Sequence, residues 1–157
     1  MKNIVFTRID DRLIHGQVMT AWIQYTSATE VVVVDDGVAK DTFMSMIMKS
    51  SMPAKIKLTI LGIQDACKYL KEDSKNEKIF ILVKTPMVIV NLIENGVSIK
   101  SVGIGGMGAK PDRQQLYRNI AASEEERTFL KKLIDLGTNV FIQVITDDKP
   151  IDLGKVI

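Results

Sequence analysis

Short apolar runs rich in β-branched residues alternate with stretches of helical period along the chain. Ile4-Val5-Phe6, Val31 to Val34, Ile56 to Leu61, Ile79 to Val83, Val102 to Ile104 and Val140 to Ile145 read as strands. Their nearly continuous apolar character, in place of strict alternation, predicts a sheet covered on both faces. Between them, Val18, Ala21, Trp22 and Tyr25 share one helical face. Asp41 heads a second stripe (Phe43, Met44, Ile47, Met48) that Pro53 ends, and a third helix runs from about Ile63 to Glu72. Thr85-Pro86 is a cap followed by proline at the first helical position, with Gly96 at the exit. Ser123 and Glu126 have capping-box spacing ahead of Phe129, Leu130, Leu133 and Ile134, and Gly137 stops that helix.

Strand and helix in strict turn predict an α/β fold, an open, mostly parallel sheet with helices on both faces. Residues 105–122 break the pattern and are expected to hold a loop and a short edge strand around Leu116 to Ala121. No repeat, linker or low-complexity segment interrupts the chain, so residues 1–157 read as one domain.

Composition narrows the function classes. The chain has 157 residues, 46% hydrophobic and 25% charged, which is globular. Twenty-one basic against nineteen acidic side chains leave +2, too balanced to argue for nucleic acid or an anionic membrane surface. No apolar run approaches the ~20 residues of a membrane span, and the N-terminus has no signal core. A single cysteine, Cys67, on an apolar helical face, fits a reducing compartment, so a cytoplasmic protein is expected. One histidine and one cysteine cannot build an ordinary zinc site, and the chain also lacks a Gly-x-Ser-x-Gly elbow.

In open α/β sheets ligands bind beyond the carboxyl ends of the strands, where strand order reverses. The loops to read are therefore Thr7 to Gly16, Asp35 to Lys40, Gly62 to Asp65, Lys84 to Pro86 and Gly103 to Lys110. The first holds Arg8, Asp10, Asp11, Arg12, the sole histidine His15, Gly16 and Gln17. A histidine just ahead of a helix lies beside unpaired N–H groups and the positive end of the dipole, a natural phosphoryl site. Arg8 and Arg12 would add charge-assisted hydrogen bonds, and Gly16 lets the backbone come close. Asp10 or Asp11 could accept the proton of one ring nitrogen and leave the other nucleophilic.

Elsewhere the residues admit more than one reading. Asp35-Asp36-Gly37 is either a polar wall of the same site or a turn in which Gly37 takes a positive φ. Gly103 to Gly108 matches G-x-G-x-x-G in spacing, but Pro111 opposes the helix a dinucleotide site needs. Gly105 and Gly106 are then expected to form a flexible wall over the first loop, or plain loop geometry. Lys84 ends the fourth strand and could reach an anion.

Phe6 to Val18 closely resembles the active-site segment of the IIB components of the mannose/fructose/sorbose family of the bacterial phosphoenolpyruvate-dependent sugar phosphotransferase system. The Val-rich strand ending in Asp35-Asp36, the helix from Asp41, Lys84-Thr85-Pro86 and Gly105-Gly106-Met107 extend the resemblance over essentially the whole chain. It implies a mostly parallel sheet with one antiparallel strand. It implies that His15, through Nδ1, accepts a phosphoryl group from a separate IIA protein and passes it to a sugar entering through membrane IIC and IID components. Arg8, Arg12 and the backbone around Gly16 and Gln17 would steady the phosphate, and Asp10, Asp11, Asp35, Lys84, Gly105 and Gly106 would support the site or face partners. The resemblance further implies peripheral association with the inner membrane face through IIC and IID; the chemistry requires no cofactor or metal, and a homo-oligomer stays open. The residues alone also admit a non-covalent anion or nucleotide module, or a regulatory phosphoprotein that modifies no sugar.

Overall fold

The computed structural model describes residues 1–157, the side chain of Gln17 excepted. Its elements run β1 (Ile4–Asp10), α1 (Gly16–Thr26), β2 (Glu30–Val34), α2 (Asp36–Lys40), α3 (Thr42–Ser50), β3 (Lys57–Leu61), α4 (Ile63–Lys71) and β4 (Ile79–Val83). They continue through α5 (Pro86–Glu94), β5 (Ser101–Gly106), β6 (Gln114–Tyr117), β7 (Ile120–Ala122), α6 (Glu124–Asp135), β8 (Asn139–Ile142) and β9 (Ile151–Asp152), ending in a 3-10 turn. Seven strands form one sheet in the order β3-β2-β4-β1-β5-β8-β9, parallel except for β9, which runs antiparallel to β8.

Strand alternation sorts the core into two layers. Val31 and Val33 of β2, with Phe80 and Leu82 of β4, pack under α1 and α3 through Met19, Trp22, Ile23 and Met48. Val32, Val34, Ile79, Ile81 and Val83 face the other way, onto Leu70, Ile89, Leu92, Leu130 and Leu133 of α4, α5 and α6. Every residue of β2 and β4 is buried, which is why neither strand alternates in sequence. β1 hands the chain to a helix on the first face, whereas β5 leads on to one on the second. The crevice between the carboxyl ends of β1 and β5 is the switch point such a topology opens.

Three expectations need correcting. Residues 114–122 are a separate two-stranded antiparallel hairpin, β6-β7, and the antiparallel strand of the main sheet is the two-residue β9, too short to leave a pattern. Asp35-Asp36-Gly37 opens α2: Asp35 Oδ1 accepts from Val38 N at 2.9 Å, the same bond that makes a turn here starting a helix, and Gly37 is not at positive φ. Gly105 and Gly106 lie within β5, not in a mobile rim.

The capping box of α6 is present, with Glu126 N donating to Ser123 Oγ and Ser123 N to Glu126 Oε1. Glu126 also holds Arg113 through two bonds of 2.8 and 2.7 Å, while Arg113 Nη1 donates to Asp11 Oδ2 and Gly108 O, both at 2.8 Å. This guanidinium clamps the 107–113 turn between the first loop and α6. Burial works against the Glu126 carboxylate, but Arg113 and the Ser123 cap outweigh it and hold its pKa below the usual range. Arg113→Ala is expected to lose roughly 2 kcal/mol in urea unfolding, because two shielded carboxylates lose their partner. A loss within experimental error would refute the clamp.

Candidate functional site

Alternation along β1 puts Arg8 and Asp10 on the same face, and the two side chains meet there. Asp10, 1% exposed, is the hub. Its Oδ1 accepts from Arg12 N and Arg12 Nε, each at 3.1 Å. Its Oδ2 faces Arg12 Nη2 at 3.2 Å, His15 Nε2 at 3.1 Å and Arg8 Nη2 at 3.4 Å. Burial alone would raise the carboxyl pKa; the bonds from Arg12 and His15 and the charge of Arg8 more than offset it, leaving the pKa below the ordinary value. Asp10 is therefore an anion at neutral pH, and an anion can only accept.

The loop that carries His15 is tightly made. Asp11 N donates to Gly106 O and Leu13 N to Asp10 O, both at 2.9 Å. Leu13 is buried at φ 55°, a left-handed conformation costing roughly 1–2 kcal/mol for a side-chain-bearing residue. The turn delivers His15 to the N-cap of α1 with its ring 25% exposed. Among the described side chains none caps the first turn of α1, and that turn carries no acidic residue. Gly16 sits at φ 48° with open space where a Cβ would project, so the N–H groups of that turn are approachable from outside.

The sequence-derived candidates fall into three groups. His15, Asp10, Arg12 and Gly16 come together at one point, with Arg12 54% exposed and its fork on Asp10. Arg8 does not share that open side. It is 2% exposed, donates to Gln143 O and Val144 O at 2.9 Å each, and lies with its guanidinium carbon 4.4 Å from the centre of the Trp22 ring. Burial lowers its pKa to about 10, with Asp10 opposing the shift, so it stays charged at neutral pH. Asp35, Lys84 and Asp11 form the outer group. Lys84 Nζ stands 3.9 Å from Asp35 Oδ2, which caps α2, and Asp11 belongs to the Arg113 clamp. The Gln17 side chain lies outside the described residues.

Gly105 and Gly106 serve the site by lacking side chains. A Cβ on Gly105 would overlap the Arg8 guanidinium, and one on Gly106 would press on the Asp10 carboxylate. Sequence reasoning missed Arg113, Glu126, Gln143 and Trp22. The one available signal was that Glu126, already assigned to a cap, had an oxygen to spare for a cation.

Comparison with known proteins agrees with this architecture. Residues 4–157 match the family model described as PTS system sorbose subfamily IIB component. The chain is 31% identical to the PTS system fructose-specific EIIB component of Bacillus subtilis, over 100% of this chain and 97% of the relative. It is 29% identical to the PTS system mannose-specific EIIAB component of Escherichia coli, over 98% of this chain but 48% of that longer protein. The crystal structure of the N-acetylgalactosamine-specific IIB component 1 from Escherichia coli superposes with a TM-score of 0.91 at 30% identity, covering 96% of this chain and 99% of that one. The IIBSor domain of the sorbose permease from Klebsiella pneumoniae gives 0.90 at 26% identity, covering 96% and 93%.

Proposed function

The chain belongs to the sorbose-subfamily IIB components of the sugar phosphotransferase system, and on that premise we propose that His15 carries a phosphoryl group from a IIA protein to an incoming sugar. The sugar is a hexose or an acetylated amino-hexose, the class that names the relatives, presented by membrane IIC and IID components. No described helix is long and apolar enough to cross a membrane, which suits a subunit working in the cytoplasm at the inner face.

The observation that carries the reading is the 3.1 Å approach of His15 Nε2 to Asp10 Oδ2. An ionised carboxylate at that distance holds the ring proton on Nε2 and leaves the lone pair on Nδ1. Nδ1 attacks phosphorus in line as the bond to the donor breaks, and the ring becomes a cation that Asp10 stabilises without taking its proton. The N–H groups of the first turn of α1 and the exposed Arg12 would then donate to the phosphoryl oxygens. When a sugar hydroxyl attacks in turn, its oxygen bonds to phosphorus as the N–P bond breaks, the hydroxyl proton passes to solvent, and the ring leaves neutral with Nε2 still protonated.

Incubation with phosphoenolpyruvate, the general carrier proteins and the cognate IIA should add one acid-labile phosphoryl group per chain, read by intact mass. Nitrogen-15 NMR should assign it to Nδ1 of His15. Attachment through Nε2 or at another residue would overturn the proposal. Tight, non-covalent binding of nucleotides or sugar phosphates in calorimetry, with no labelling, would favour a simple anion-binding module.

A further inference from the structure

We propose that Arg8 is a positioning residue: its guanidinium ties the Gln143–Val144 backbone to the carboxylate that orients His15, and so keeps Nδ1 the reactive nitrogen. The inference rests on His15 being the phosphoryl carrier and adds a residue that touches neither phosphorus nor sugar.

The guanidinium has three acceptors. Nη1 donates to Gln143 O and Nη2 to Val144 O, each at 2.9 Å, and Nη2 also stands 3.4 Å from Asp10 Oδ2. That oxygen is the one His15 Nε2 faces. Both carbonyls are fixed independently of the site. Gln143 N donates to Ile104 O at 3.0 Å, and the Gln143 side chain holds the following turn through Thr146 O and Asp148 O at 3.3 and 3.2 Å. Trp22 lies against one face of the guanidinium, and the space Gly105 leaves is filled by it.

Asp10 is thus held from two sides. Arg12 grips it from the solvent side with a half-exposed fork, which solvent and an arriving phosphoryl group can both draw away. Arg8 grips it from within, on a group that cannot swing out. When Arg12 turns to the phosphoryl oxygens, Arg8 is what still holds Oδ2 toward the ring. A lysine supplies the charge but not the planar fork, so it cannot serve two backbone carbonyls and a carboxylate together.

The test is the tautomer of unphosphorylated His15, read from its ring nitrogen-15 shifts at a pH where the ring is neutral. Wild type is expected to show Nε2–H. Arg8→Lys, folded by circular dichroism, should show a mixture of tautomers and a single-turnover phosphorylation rate roughly 10- to 100-fold lower. Gln143→Ala, remote from the ring, should shift the tautomer in the same direction by less. A folded Arg8→Lys protein with the wild-type tautomer would overturn the proposal whatever its rate.

If Arg8→Lys does not fold, the guanidinium of the wild-type protein decides. Slowly rotating Arg8 with two resolved Nη environments, before and after phosphorylation, supports the strut. Free rotation, or a phosphorus coupling to Arg8 in the phosphorylated form, refutes it. Failure of the carrier reading would show separately, as absence of label on His15.

Discussion

His15→Ala is expected to accept no phosphoryl group from phosphorylated IIA and to give no sugar phosphorylation in a reconstituted system with IIC and IID, while its melting temperature stays close to wild type. Both halves follow from the site. The chain holds one imidazole, and neither arginine nor an ionised carboxylate of this loop can form the N–P bond in its place. The ring is a quarter exposed, and its hydrogen bond within the described residues is the one to Asp10. Removing it takes away little apolar burial, so the fold should tolerate the loss. The decisive measurement is intact mass after exhaustive incubation with the donor system. Persisting acid-labile phosphate would remove His15 from the reaction, and a protein that unfolds would show the ring to be structural.

How much of this could be read in the sequence depends on the range of the interaction. β2 and β4 were legible because full burial writes itself as runs of apolar residues, Val31 to Val34 and Ile79 to Val83, and α6 because a capping box is a local pattern. The two-residue β9 and the five-residue α2 fall below the length at which periodicity speaks. At the site, His15 and Arg12 are neighbours of both Asp10 and Asp11 in the chain, so a meeting with one of the two aspartates was foreseeable, but not that Asp10 would be the one. The placement of Arg8 was not, because the two carbonyls that hold it lie 135 and 136 residues downstream and a backbone carbonyl has no sequence signature. The glycines of β5 were misread for the same reason: they look like a flexible loop, and only the partners from β1 reveal that two side chains occupy the missing Cβ positions.

Arg8, Arg12 and His15 all converge on Asp10, which makes it the next most sensitive position. Asp10→Asn is expected to slow phosphoryl transfer about 10²–10⁴-fold with His15 still present. Every group around the carboxylate is a donor. An asparagine must therefore aim its NH₂ at some of them. Turned toward Oδ2's place, it confronts His15 Nε2, which can pair with it only by giving up its proton. The proton then sits on Nδ1 and blocks attack. Turned the other way, the NH₂ confronts Arg12 N and Nε, and the fork of Arg12 is lost.

Stability should change too, since the buried Arg8 loses its counter-charge; the expected cost is about 3 kcal/mol at neutral pH. The sign of the pH dependence is fixed by the direction of the Asp10 shift. A carboxyl whose folded pKa is lowered contributes stability that is present above the unfolded value near 4 and disappears as pH falls through the folded value. The wild-type protein should accordingly lose that increment on acidification, and Asp10→Asn should not. Single-turnover transfer, His15 nitrogen-15 shifts and urea unfolding across pH test the three consequences together. An Asp10→Asn protein that transfers within a few-fold of wild type would mean that Asp10 does not set the ring, since among the described residues it is the one partner of Nε2.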